Sequence, residues 1–505
     1  MIHHNLVQKI YKNINLVFLI ALVVLIVTVG RNLNPFASDF FSYHDVTQPS
    51  RIEQFTNELS QLHIPPQIAP DYAFGNGYPV FTFYAPTAYW ITSVVHLIGF
   101  EVSQAIKLSF LLSIITAFGG MYALVSHVNK DRVLRLLPAL LYATSPWVAS
   151  EIFVRGNLAE IWCLALLPWG IWALMQKGKY VIGSVILAAL FTSHNALSLV
   201  LILFCGVVAL AQPHRKIALQ TYFAALLLSM YFWIPVLTGL SNTYAFDTAK
   251  LTNFRDHFLC IQQVWTTPNG WGYGGSAPGC AQDGVSFMIG KLLILTAIAG
   301  LLAFLTSCLR SCFARSDSYQ PKDMTTILVV ILGVISLFLT VYISQPFWET
   351  LAPLQSFQFP WRFLVFVAFA GSYMSIYIFT YLHTHKYIAY TTTILICCVA
   401  IMMSSRYFIG QRISSEKAYS LYSAQFTSEK AAFAIPEYLP RTVDLNLWSR
   451  LRDKSPTSSE SAQLKTQFSA YKPPSVLYTI SHGISFGALA YLLCHMIYTK
   501  IRKRA

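Results

Sequence analysis

Charge is what this chain has least of. Only 11% of its 505 residues are Asp, Glu, Lys or Arg, where a water-soluble domain carries about a quarter. With 55% hydrophobic residues and a mean hydropathy of +0.52, that shortage excludes an ordinary soluble enzyme. Other absences narrow the field further. Neither CxxC nor HExxH accompanies the nine cysteines and 13 histidines, which disfavours zinc. The glycine-rich stretch NGWGYGGSAPG lacks the GK[ST] ending of a phosphate loop and reads as a turn. No A-x-A cleavage site follows the first apolar run, so an uncleaved first helix is expected behind Lys9 and Lys12. No repeat of fixed period is visible.

What is present is a series of apolar runs long enough to cross a bilayer, at about 14–30, 104–126, 133–150, 158–176, 180–194, 195–213, 217–238, 288–308, 324–344, 361–382, 387–404 and 476–498. So many runs exclude a receptor with a single anchor. A further segment, 83–100, is short, contains Pro86 and His96, and is rich in Tyr and Trp, so it is expected to lie along the outer interface without spanning.

Twelve spans put both termini in the cytoplasm. The inner side then holds Lys9, Lys12, Lys130, Arg132, Arg135, Lys177, Lys179, Arg215, Lys216, Arg310, Arg315, Lys322, Lys386, Lys500, Arg502, Lys503 and Arg504 against Asp131, Asp317 and Asp323. Those 17 of 35 basic residues, less three acids, account for the whole net charge of +14. The basic balance therefore reports topology under the positive-inside rule, and nucleic acid drops out as a partner.

Three outer segments are too long to be turns: 31–103, 239–287 and 405–475. The third reads as a small ordered cap followed by a flexible, Ser-rich linker around Ser455 to Ser461, leading into the last helix and a basic tail at 476–505. Residues 1–404 form the multi-span domain. Only Cys260 and Cys280 face outward, flanking the glycine turn, and are candidates for a disulfide.

The ionisable residues that could do chemistry gather on that outer side. The first loop starts with Asp39, His44, Asp45, Arg51 and Glu53. Moving a sugar off a phosphate leaving group needs a base for the acceptor's proton and cations for the departing phosphate. Asp39 or Asp45 suits the first role. Arg155 and Glu160 in FVRGNLAEIW sit where one span emerges and the next begins, and such charges in apolar sequence are costly unless paired or functional. Arg362 in SFQFPWRFLVF heads an outward-starting helix, and Arg suits bidentate phosphate binding. His194 and Asn195 end the fifth span on the same face. Each has a structural alternative: a cap, an Arg155–Glu160 bridge, snorkelling of Arg362, or a packed histidine.

The stretches DYAFGNGYPVFTFYAPTAYW (71–90), FVRGNLAEIWCLALLPW (153–169), MYFWIPVL (230–237), SFQFPWRFL (356–364) and PEYLPR (436–441) resemble a bacterial membrane family labelled 6-pyruvoyl-tetrahydropterin synthase-related. The large first loop with an Asp, closed by an interfacial helix, resembles the GT-C superfamily of polyprenyl-phosphate-sugar glycosyltransferases. The resemblance implies an all-α GT-C-like bundle of about 12 transmembrane helices in a bacterial cytoplasmic membrane. It further implies inverting transfer on the extracytoplasmic face, with Asp45 or Asp39 as base. Arg155, Glu160, Arg362, His44, Arg51 and His194 would then bind lipid phosphate or substrate. The partners implied are a polyprenyl-phosphate sugar, membrane lipids, and a glycan, lipid or protein acceptor. A divalent cation (Mg or Mn) on Asp39 and Asp45 is left open. The alternatives are a flippase for a lipid-linked sugar, disfavoured by the scarcity of mid-helix charges, and a non-catalytic scaffold, since Val46 rather than a His follows Asp45.

Overall fold

Where no water reaches the backbone, each N–H must find a carbonyl within its own segment, and the apolar runs accordingly become helices. A computed structural model describes residues 14–251, 253–267, 270–280, 282–313, 322–381, 385–473 and 475–502. Among them six helices are long and apolar enough to cross a membrane: Val102–His127, Arg215–Asn242, Lys291–Arg310, Pro360–Thr380, Lys386–Tyr407 and Ser475–Thr499. Five shorter apolar helices accompany them: Leu16–Thr28, Leu158–Leu174, Tyr180–Phe191, Asn195–Ala211 and Met324–Thr340. The chain is thus a multi-pass, largely helical membrane protein. Lys9, Lys12, Arg315, Asp317, Lys503 and Arg504, used in the topology count, lie outside the described residues.

One expected span is not a single helix. The run 133–150 forms Leu136–Ala143, breaks, resumes as Pro146–Ser150, and passes into a π-helical turn, Glu151–Arg155. Pro146 has no N–H for the preceding turn and holds Ser145 out of the helical region, at ψ 133°. The freed Ser145 hydroxyl donates to the Ile289 carbonyl at 2.8 Å. This break matters because it re-aims the chain that carries Glu151 and Arg155.

The bundle is sewn by close approaches. Gly120 lies so near Trp169 that a Cβ would stand 2.6 Å from its ring, and the Trp169 indole N–H donates to the Thr116 carbonyl at 2.9 Å. Ser109 accepts from the Trp162 indole at 3.0 Å and from the Thr92 hydroxyl at 2.7 Å. Thr92 belongs to the segment expected at the interface, where Val80–Phe83 and Thr87–Leu97 are separate helices. At 11 residues the second is about 16 Å long, half of what a bilayer core requires.

The loops above the bundle pack on one another. Strand β1 (Phe40–Ser42) pairs antiparallel with β2 (Gln411–Ile413), placing Phe41 opposite Arg412 and so tying the first loop to the cap. The Ser50 and Thr427 hydroxyls meet at 3.0 Å along the same seam. The Ser-rich stretch expected to be a flexible linker, Ser455 to Ser461, is in its second half the start of a helix, Ser458–Ala470. Thr457 and Glu460 form a reciprocal capping box at its start, which supplies the partners that an amphipathic face alone does not. Cys260 and Cys280 are joined as a disulfide, with Cα atoms 5.7 Å apart.

Candidate functional site

The site begins at the break after Pro146. Gly156, in the left-handed region at φ 63°, ends the π turn, and Asn157 caps the following helix, its side-chain oxygen accepting from the Glu160 N–H at 3.0 Å. This turn puts Glu151 and Glu160 on either side of Arg155. Arg155 Nη1 donates to Glu160 Oε2 at 2.8 Å and also to Glu151 Oε1. Trp361 closes the third side, with the guanidinium carbon 4.2 Å from its ring centroid. Both glutamates are fully buried, whereas Arg155 keeps 11% of its side chain open.

Two more residues converge on Glu160. His194 caps its helix by accepting at Nδ1 from the Ala196 and Leu197 N–H groups, each at 3.2 Å, which leaves the ring proton on Nε2. That nitrogen faces Glu160 Oε2 at 3.8 Å. Arg362 Nε stands 3.8 Å from the same oxygen, and its Nη1 donates to the Phe357 carbonyl at 2.7 Å. Buried polar groups are nearly always paired. Here Arg362 Nε, Glu160 Oε1, Glu151 Oε2 and the indole N–H groups of Trp147 and Trp361 have no hydrogen-bond partner among the described residues.

Asp45 is brought to this cluster through the backbone. The His44 N–H donates to the Val154 carbonyl at 3.0 Å and the Asp45 N–H to the Arg155 carbonyl at 3.1 Å. The Asp45 carboxylate accepts from Arg51 Nη2 at 2.6 Å, the Thr47 hydroxyl at 3.0 Å and Gln48 Nε2 at 2.7 Å, and leaves 23% of the side chain open.

Arg51 is enclosed by its partners. Its side chain is 2% exposed, donates to Asp45, to Thr47 and at 2.8 Å to the Tyr89 hydroxyl, and stacks 4.7 Å from the Tyr84 ring centroid. Buried in this way, its guanidinium is taken up by Asp45, Thr47 and Tyr89. His44 is exposed, and its Nε2–H donates to the Tyr273 carbonyl of the disulfide-bearing loop at 2.8 Å. Asp39 takes another direction. It pairs with the exposed Arg412 at 3.3 Å, and its carbonyl accepts from Lys107 at 3.0 Å. Glu53 meets His96 of the helix Thr87–Leu97 at 3.2 Å.

The cation fit follows from these partners. Asp39 and Asp45 are each committed to a different arginine, and among the described residues no group of three or more His, Cys, Asp or Glu could hold a metal ion. The pair does not fit a shared divalent cation. Glu151, which is not among the residues that the sequence singles out, stands at i, i+4 spacing from Arg155. Tyr84 and Tyr89 carry no comparable signal, whereas Asn157, three residues before Glu160, has the helix-start pattern.

Residues 81–272 match the sequence model of the family described as 6-pyruvoyl-tetrahydropterin synthase related domain, membrane protein. The resemblance seen in the sequence is to this family. The match takes in FVRGNLAEIW and MYFWIPVL and stops short of SFQFPWRFL and PEYLPR. No curated protein matches the chain in sequence. Among solved structures, the chain is similar to arabinofuranosyltransferase AftD from Mycobacteria, at 13% identity, 81% of this chain, 27% of that one and a TM-score of 0.44. It is also similar to the Archaeoglobus fulgidus oligosaccharyltransferase, at 12% identity, 91% of this chain, 60% of that one and 0.46. A third is ArnT from Cupriavidus metallidurans bound to undecaprenyl phosphate, at 12% identity, 96% of this chain, 77% of that one and 0.40. The chain thus spans about a quarter of the first structure's length and 60% of the second's.

Proposed function

We propose that the chain is an integral-membrane glycosyltransferase that moves a sugar from a polyprenyl-phosphate donor to an acceptor hydroxyl, with inversion. The reaction takes place on the extracytoplasmic face of a bacterial cytoplasmic membrane, with both termini inside. The observation that carries this is the backbone link between Asp45 and Arg155, which joins the segment bearing a part-open carboxylate to the turn bearing the buried Arg155–Glu160 cluster.

In the reaction the acceptor oxygen attacks the anomeric carbon as the carbon–oxygen bond to phosphate breaks. Asp45 takes the acceptor's proton, worth about 10²- to 10⁴-fold in rate for a placed base. Arg155 and Arg362 present N–H donors to the phosphate as it gains charge. Glu151, Glu160 and Trp361 fix Arg155 so that it need not reorganise.

The test is transfer from a panel of radiolabelled polyprenyl-phosphate sugars by purified protein in lipid nanodiscs, wild type beside Asp45→Asn. Turnover by the wild type that falls at least about 100-fold in the variant supports the assignment. Equal turnover by both removes Asp45 as the base, and turnover by neither removes the transferase.

A further inference from the structure

The end of the bundle that carries the Ser145–Pro146 break also holds two cations that the site above does not use. Lys291 opens the helix Lys291–Phe313, and Arg406 follows the helix Lys386–Ser404 in the turn Ser405–Tyr407. Both are exposed. They line one cavity of about 60 Å³ together with Ser145, Ser404 and Tyr407, and no acid lines it. At about 15 Å³ per water-sized group, such a cavity has room for about four oxygens, as many as a phosphate carries. Tyr407 steadies Arg406: its hydroxyl accepts from Nη2 at 2.7 Å, and its ring centroid lies 4.8 Å from the guanidinium carbon. Among the described residues neither cation is paired with an acid.

Lys291 also reaches a second, apolar cavity. Its Nζ stands 5.7 Å from the ring centroid of Trp265, and Trp265 lines a groove of about 340 Å³ among the helices Lys291–Phe313, Lys322–Thr340 and Leu364–Met374. Ile289 and Leu293 line both cavities, so the polar one and the apolar one meet at the first turn of the helix that Lys291 opens. The groove opens sideways at the exposed Ile298 and Val334, on the flank of helices apolar enough to meet lipid. Along the first of these helices it runs from Leu293 to Leu301, about 12 Å of helix rise. That length stays within one leaflet of a hydrocarbon core about 30 Å thick.

We propose that the two cavities together are the site of an anionic phospholipid, whose phosphate lies between Lys291 and Arg406 and one of whose acyl chains fills the groove. Two cations with no acid beside them match a headgroup of net negative charge and disfavour one that also brings an ammonium. Trp265 and Tyr407 supply the aromatic rings that favour the headgroup level. A groove that ends within one leaflet has the length of an acyl chain and is too short for a long isoprenoid one. None of Glu151, Arg155, Glu160, His194 and Arg362 lines either cavity, so the site is separate from the cluster above and does not rest on the transferase reading.

The experiment is native mass spectrometry of the purified, delipidated chain, titrated with phosphatidylglycerol or with phosphatidylethanolamine of the same acyl chains. Wild type is expected to bind phosphatidylglycerol about tenfold or more tightly than phosphatidylethanolamine. Lys291→Gln and Arg406→Gln should each weaken that binding about fivefold, and the double variant about thirtyfold, as the attraction of one cation apiece implies. Val334→Trp fills the groove from its exposed side and should weaken binding about fivefold or more with both cations in place. All three side chains are exposed, so these variants should melt as wild type does, and Lys291→Arg should bind as wild type does. Equal affinity for the two lipids, binding that survives the double variant or Val334→Trp, or loss of binding in Lys291→Arg overturns the site. Displacement of phosphatidylglycerol by equimolar polyprenyl phosphate also overturns it, since the groove would then belong to the donor.

Discussion

Asp45 and Arg155, 110 residues apart in the sequence, are joined by a hydrogen bond from the N–H of the first to the carbonyl of the second at 3.1 Å. That register depends on Gly156, which follows Arg155 at φ 63° and packs so tightly on Tyr43 that a Cβ would stand 2.2 Å from its ring. Gly156→Ala combines left-handed backbone strain with overpacking, so it should cost about 2–5 kcal/mol. Thermal unfolding in nanodiscs reads the stability, and transfer should fall with it because Tyr43 and Asp45 move together.

The two candidate bases should separate cleanly. Asp39 pairs with Arg412 near the exposed β1–β2 edge, and exposed pairs contribute about 0–1 kcal/mol. Asp39→Asn is therefore expected to keep its melting temperature and most of its transfer, while Asp45→Asn keeps the fold and loses transfer. If Asp39→Asn alone abolished turnover, the assignment of the base to Asp45 would be wrong.

Much of this arrangement could be read without coordinates. The twelve-span reading puts Arg155, Glu160, His194 and Arg362 on one side, and the structure gathers the other three around one Glu160 oxygen. The helices were legible because a run of apolar residues has no other way to satisfy its backbone in a bilayer. Apolarity does not register a break, however, and the run at 133–150 hid the Thr144-Ser145-Pro146 interruption that aims Arg155. The different settings of Asp39 and Asp45 are equally hidden: β1 pairs with a strand some 370 residues later, and Arg51 folds back one helical turn and more onto Asp45. Such long-range register leaves no periodic trace in sequence.

Arg51 and Arg362 should fail in different ways. Arg51 is enclosed with its partners, and removing one member of a buried ion pair costs about 3–5 kcal/mol. Arg51→Leu should accordingly lower thermal stability sharply, with any surviving transfer reduced because Asp45 has lost its orienting partner. Arg362 is more open, at 15% of its side chain, and its hydrogen bond is to a backbone carbonyl. Arg362→Lys should leave the fold nearly intact but weaken binding of polyprenyl phosphate, since an ammonium cannot offer the guanidinium's paired donors. Flotation with radiolabelled polyprenyl phosphate would measure it, and unchanged binding would count against a phosphate role.

The helix Thr87–Leu97 carries a pH response. His96 Nε2 faces Glu53 at 3.2 Å, and its Nδ1 lies 2.6 Å from the Phe100 carbonyl. The hydrogen bond to Glu53 raises the His96 pKa above its ordinary 6.5, with burial opposing and the Phe100 carbonyl adding to the rise. A histidine whose folded pKa is raised binds its proton more tightly when folded. Its contribution is therefore complete below the unfolded value of 6.5 and is lost as pH climbs through the higher folded value. The melting temperature should fall over that window, and Glu53→Gln should flatten the fall by removing the principal cause of the raised pKa. Because Thr87–Leu97 packs against Gln48–Ser60, the helix bearing Arg51, the same rise in pH should loosen the setting of Asp45. A melting profile identical in wild type and Glu53→Gln from pH 6 to pH 8 would separate His96 from the stability of the first loop.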